Sequence, residues 1–145
     1  RIGCMGFSMG AYRAWMLSAL SDKVKAGAAV CWMVTTDCQF SWEYGKERGG
    51  FANMLPGIRR YLDYPHIASI ACPKPMFFLN GEHDKLFPPV GVNAAFAEMQ
   101  KVWESRSAGD KLVTELWDMP HDCGVKVQEA VLSFLNYNLA SVRGN

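Results

Sequence analysis

Residues 1–20 read RIGCMGFSMGAYRAWMLSAL, and the fold turns on the pentapeptide Gly6-Phe7-Ser8-Met9-Gly10 at their centre. A short apolar run, Ile2 to Met5, enters it, and good helix formers leave it (Ala11, Ala14, Met16, Leu17, Ala19, Leu20). Strand, sharp turn and helix are therefore predicted, with Ser8 at the apex, the context in which Gly-x-Ser-x-Gly forms a nucleophile elbow. So tight a turn holds its serine at strained backbone angles. It also crowds the positions two before and two after, so a Cβ at Gly6 or Gly10 is expected to clash. The turn projects the Ser8 hydroxyl away from the sheet and sets the Met9 amide beside it, at the start of the helix. That amide and the helix dipole suit a developing oxyanion.

The chain has 145 residues, one domain's worth at most, and at 50% hydrophobic it holds enough apolar residues for a core. A formal net charge of +1 gives no long-range pull toward nucleic acid or an anionic surface, and no basic cluster stands out. Every apolar stretch is interrupted well before the ~20 residues that a membrane-spanning helix needs. The five cysteines (Cys4, Cys31, Cys38, Cys72, Cys123) are odd in number, widely spaced and without metal-ligand spacing, so no metal site is expected. Cys4 and Cys31 fall on expected buried strands and read as core residues.

Further along, Val24 to Val34 (VKAGAAVCWMV) is short and apolar, as a strand buried on both faces should be. Residues 35–70 have mixed character, with aromatics (Phe40, Trp42, Tyr44, Phe51, Tyr61, Tyr64), a Gly49-Gly50 hinge and Pro56-Gly57. They read as an insertion of short helices forming a pocket wall. Met76 to Asn80 is a compact strand entered by Pro73 and Pro75. Val92, Ala95, Phe96, Met99, Val102 and Trp103 recur at helical spacing and predict a helix over 90–105. A strand over 111–118 and a helix over 125–139, with Val127, Val131, Phe134 and Leu135 inward, complete the series. The order β-α-β-(insertion)-β-α-β-α predicts a parallel α/β sheet with crossover helices.

A serine hydroxyl is nearly un-ionised at neutral pH and needs a base within hydrogen-bond reach. His66, in the insertion, reads as a surface or structural residue, and His83 as packing. His121 sits on the loop after the last strand, at the carboxyl edge where open α/β sheets place their sites, and is the expected general base. Asp84, at the end of the strand beyond the insertion, is the expected acid, with Asp37 as its rival. Asp122 is adjacent to His121, and neighbouring side chains on a turn diverge, so it cannot orient that ring. Phe7 and Trp32 are candidate substrate-binding residues, with Met33, Asp37 and Gln39 also placed to face substrate. Arg59 and Arg60 offer themselves to an acidic group, although an exposed pair with Asp63 or Glu47 is the plainer account.

GFSMG (Gly6 to Gly10), PKPMFFLNGEHDKLFP (Pro73 to Pro88) and MPHDCG (Met119 to Gly124) resemble the α/β-hydrolase superfamily. The likeness is to its esterase branch, related to acetyl xylan esterases and dienelactone hydrolases. The resemblance implies a Ser8, Asp84, His121 triad, Met9 in the oxyanion hole, and no cofactor or metal. It also implies a small-molecule or saccharide ester as substrate, with a secreted or periplasmic setting. The insertion takes the place where the superfamily carries a cap. The chain opens on the elbow strand without a start methionine, so residues 1–145 are expected to be the C-terminal catalytic part of one such domain. The N-terminal half, with the second oxyanion amide, is then the expected partner. Alternatives are a prolyl oligopeptidase-type peptidase, which shares this half and triad order, and a non-catalytic partner-binding fragment. A dienelactone-type hydrolase usually has cysteine where Ser8 stands.

Overall fold

The computed structural model describes residues 2–41 and 57–140. Four strands, β1 (Ile2–Phe7), β2 (Val24–Val30), β3 (Met76–Gly81) and β4 (Leu112–Trp117), form one parallel sheet in the order β1-β2-β3-β4. Parallel neighbours need crossovers, and helices supply them. α1 (Met9–Leu20) joins β1 to β2, α4 (Pro89–Ser105) joins β3 to β4, and α5 (Val125–Ala140) follows β4. Between β2 and β3 stand the short helices α2 (Thr36–Gln39) and α3 (Tyr64–Ala68), with single 3₁₀ turns at Ile58–Arg60 and Ser69–Ala71.

Alternate residues of the strands feed two cores. Ala29, Met76 and Phe78 face α1, α3 and α4, where Tyr12, Trp15, Ile67, Val92, Met99 and Trp103 pack. Ala28, Val30, Phe77 and Leu79 face α5, meeting Val127, Val131 and Leu135. All six residues of β3 are buried, which is why Met76 to Leu79 read as an unbroken apolar run and not as an alternation. Phe134 is only partly buried but packs on the α5 core and against Phe77. Lys74 closes the far end of α1. Its Nζ donates to the Ser18 and Ser21 carbonyls at 2.8 and 3.0 Å, a cation where the helix presents its negative pole.

Two features depart from the sequence reading. β2 ends at Val30, not Val34, because Cys31 has φ 54° and turns the chain out of the ladder; residues 31–34 remain buried. The described part of the insertion packs onto the body, with Tyr64 set among Tyr12, Trp15 and Trp32. Trp42, Tyr44, Phe51, the Gly49-Gly50 pair and Pro56 lie outside the described residues. Asp63 ties the insertion together: its carboxylate accepts from the backbone of Tyr64 (2.6 Å) and of Thr36 (2.8 Å). His66 answers within the same capping box, its Nδ1 accepting from the Asp63 amide at 2.9 Å, so this histidine does structural work on the surface.

Candidate active site

Ser8 stands between β1 and α1 with φ 54° and ψ −122°, a conformation in which a non-glycine residue is strained. Its amide donates to the Val30 carbonyl at 2.9 Å, and its carbonyl accepts from the Ala11 amide at 2.8 Å. These bonds tie the elbow to both β2 and the first turn of α1. Gly6 is required here, because a Cβ would drive into the Gly10 carbonyl and the Ala11 amide. Gly10 is not required on the same ground: a Cβ there meets nothing within 4 Å among the described residues. The crowding is one-sided, since Gly6 points at the helix start while the Gly10 position points away from the strand. Met9 opens α1; the Ala11 and Tyr12 amides of its first turn donate to the Ser8 carbonyl.

Beyond β3, Glu82 to Asp84 form a turn that is laced to the loop after β4. The Glu82 amide donates to the Trp117 carbonyl at 2.8 Å and the His83 amide to the Met119 carbonyl at 3.1 Å. This close approach needs Gly81, where a Cβ would strike the carbonyls of Met119 and Pro120. The lacing brings Asp84 and His121 together although 37 positions separate them. The Asp84 side chain is 0% exposed; one oxygen accepts from the Leu86 amide at 2.8 Å and the other from His121 Nδ1 at 2.7 Å. A carboxylate only accepts, so the ring proton sits on Nδ1 and leaves Nε2 to accept from Ser8 Oγ at 2.9 Å. The His121 side chain is 23% exposed. Its ring lies 4.8 Å from that of Phe7 and stacks on Phe87 at 6.0 Å.

The other candidates are placed elsewhere. Asp37 is 91% exposed and pairs with Arg59 at 2.8 Å, so Arg59 meets neither Asp63 nor the site. The Arg59 guanidinium also lies over Phe40. His83 forms an exposed pair with Asp118 at 2.7 Å, not core packing. Trp32, expected at the substrate, is 2% exposed and sits between Tyr12, Tyr64 and Phe87 in the core. A strand-end position exposed in sequence terms is covered here by α1 and α3. Met33 and Gln39 are buried as well, whereas Phe7 is 36% exposed beside the serine.

Phe87 and Gly81 escaped the sequence reading. The one signal for Phe87 is an apolar residue between the acid turn and the Pro88-Pro89 pair that opens α4. Cys31, Asp84 and His121 bring three possible donor atoms within 4.8 Å of one another. The imidazole and the carboxylate already satisfy each other, so this grouping reads as a hydrogen-bonded site.

No family model matches the chain. YtaP of Bacillus subtilis (strain 168), provisionally described as a hydrolase, is 32% identical over 110 residues, which are 76% of this chain and 36% of YtaP. Among solved structures, methylesterase BT1017 is 21% identical with a TM-score of 0.72, covering 97% of this chain and 30% of its own. A family 15 glucuronoyl esterase from Caldicellulosiruptor kristjansonii gives 14% and 0.73, covering 96% of this chain and 43% of its own. The Pyrococcus furiosus esterase Pf2001 gives 20% and 0.68, covering 96% and 54%. The parallel four-stranded sheet with its helices fits part of an α/β-hydrolase fold, and the chain spans about a third of the length of YtaP.

Proposed function

We propose that residues 1–145 supply the nucleophile, base and acid of a serine hydrolase that cleaves carboxylic esters. The observation that carries this reading is the continuous relay from Ser8 Oγ through His121 to the buried Asp84 carboxylate, at 2.9 and 2.7 Å. His121 takes the Ser8 proton as Oγ attacks the ester carbonyl, and Asp84 stabilises the imidazolium that forms. The Met9 amide and the positive end of α1 receive the tetrahedral oxyanion. Collapse expels the alcohol, which takes its proton from His121, and leaves an acyl-enzyme on Ser8. His121 then deprotonates a water that attacks the acyl carbon; the second tetrahedral intermediate releases the acid and restores Ser8. No step calls on a cofactor.

The chain would act as the C-terminal catalytic part of a longer domain. β1 is an edge strand with Ile2, Met5 and Phe7 exposed, which suits a further strand alongside it. A neighbouring segment would also bring the second oxyanion amide. A short acyl ester on a carbohydrate is the proposed substrate class, supported by the acetyl xylan esterase-like motifs at Gly6 to Gly10, Pro73 to Pro88 and Met119 to Gly124. The test is p-nitrophenyl acetate hydrolysis by the full-length protein and its Ser8→Ala variant. Turnover lost in Ser8→Ala supports the reading, and equal turnover in both would sink it. A panel of acetylated xylosides and proline-containing peptide amides then separates an esterase from a peptidase.

A further inference from the structure

Cys31 breaks the alternation of its own strand. Ala28 and Val30 face α5 and Ala29 faces the opposite core, so a regular continuation would turn residue 31 toward α1. Its φ of 54° instead keeps it in the α5 core beside Val30, fully buried, with its amide donating to the Leu79 carbonyl at 2.7 Å. L residues rarely adopt that conformation, and glycine would adopt it without strain. The strain brings the side chain to one place. Cys31 Sγ donates to the Asp122 carbonyl at 3.6 Å, 91 positions away in sequence and one peptide beyond His121. It also lies within 4.8 Å of the Asp84 oxygen and the His121 ring nitrogen.

We propose that Cys31 is a positioning residue, whose thiol pins the Asp122 carbonyl and thereby holds the His121 ring in line with Ser8 and Asp84. This rests on the hydrolase reading above. Burial, with the Asp84 charge adding to it, pushes the thiol up to about 11, so it remains a neutral donor at physiological pH. A charged or basic group so close would compete with His121 for the Asp84 carboxylate; a thiol does not. The contact is weak, but a base displaced by a fraction of an ångström loses in-line geometry, which costs rate and not binding.

The experiment compares Cys31→Ala, Cys31→Ser and Cys31→Gly in the full-length protein, by p-nitrophenyl acetate kinetics, thermal unfolding and the downfield proton resonance of the His121 ring. Alanine and glycine variants are expected to lose roughly tenfold in kcat with KM within about twofold, and serine, which keeps a donor, to recover most of it. Glycine relieves the backbone strain, so its unfolding midpoint should not fall, which separates the thiol from the fold. The ring resonance should broaden in the alanine and glycine variants and persist in the serine variant. Wild-type kcat in either the alanine or the glycine variant overturns the proposal, as does a serine variant no better than alanine. If wild-type turnover does not depend on Ser8, the hydrolase reading fails instead, and the ring resonance alone decides whether Cys31 holds His121: unchanged in all three variants, it overturns the inference.

Discussion

Gly6 and Gly10 look equivalent in the pentapeptide and are not equivalent in space. A Cβ at Gly6 meets the Gly10 carbonyl, whereas one at Gly10 meets nothing among the described residues. Gly6→Ala is expected to destabilise by about 1–3 kcal/mol through overpacking against backbone. Gly10→Ala, in the first turn of α1, should be neutral or raise stability by roughly 0.5–1 kcal/mol from helix propensity. Paired thermal melts check the difference. At the other end of the relay, Asp84 holds His121 Nδ1 and the Leu86 amide with its two oxygens. Asp84→Asn keeps the shape but can present an amide N–H to the ring and impose the wrong tautomer. kcat for p-nitrophenyl acetate should then fall by about 10⁴-fold.

Among the elements, α4 shows the separation between holding the fold and serving the site. Met99 lies fully buried in the α1-side core. Met99→Ala should cost about 2–5 kcal/mol of stability, read from denaturant midpoints, while kcat of the folded fraction stays unchanged. In α3, burial pushes the Tyr64 phenol up to about 12 from its ordinary 10.0. The folded state then keeps a proton that the unfolded chain releases, so this contribution is whole below pH 10.0 and is lost as pH rises toward about 12. Cys31, raised from 9.0 to about 11, adds loss of the same sign from pH 9.0 upward. The fall in urea midpoint between about pH 9 and about pH 11.5 should be smaller in Tyr64→Phe than in the parent.

For the whole molecule, the decisive feature is an open sheet with β1 at its edge. Its exposed backbone groups and its apolar Ile2, Met5 and Phe7 make the 145-residue chain, taken alone, a template for association. Light scattering of this chain should show assembly that rises with concentration, and Met5→Lys should reduce it. On the proposed reading, a segment covering this edge in a longer protein supplies the second oxyanion donor beside Met9. Removing one such donor typically costs ~10²–10³ in rate, so the isolated chain should turn over esters at least that much more slowly than the full-length protein.

The alternation of apolar runs and helical periodicities was enough to set the four strands and three long helices in chain order, because a strand buried on both faces reads as an apolar run and a helix buried on one face repeats at three and four. The elbow was legible from its setting, a serine flanked by Gly6 and Gly10 where an apolar run gives way to helix formers. The sequence also placed Ser8, Asp84 and His121 on separate loops. Their meeting belongs to tertiary structure, since it depends on Gly81 letting the carbonyls of Met119 and Pro120 close in. Burial at strand ends was not legible either. Trp32 looked free to meet substrate until α1 and α3 covered it, and Cys31 looked like ordinary core until a positive φ aimed its thiol at the Asp122 carbonyl. Local pattern reports which face a residue prefers; only the packed chain decides what waits there.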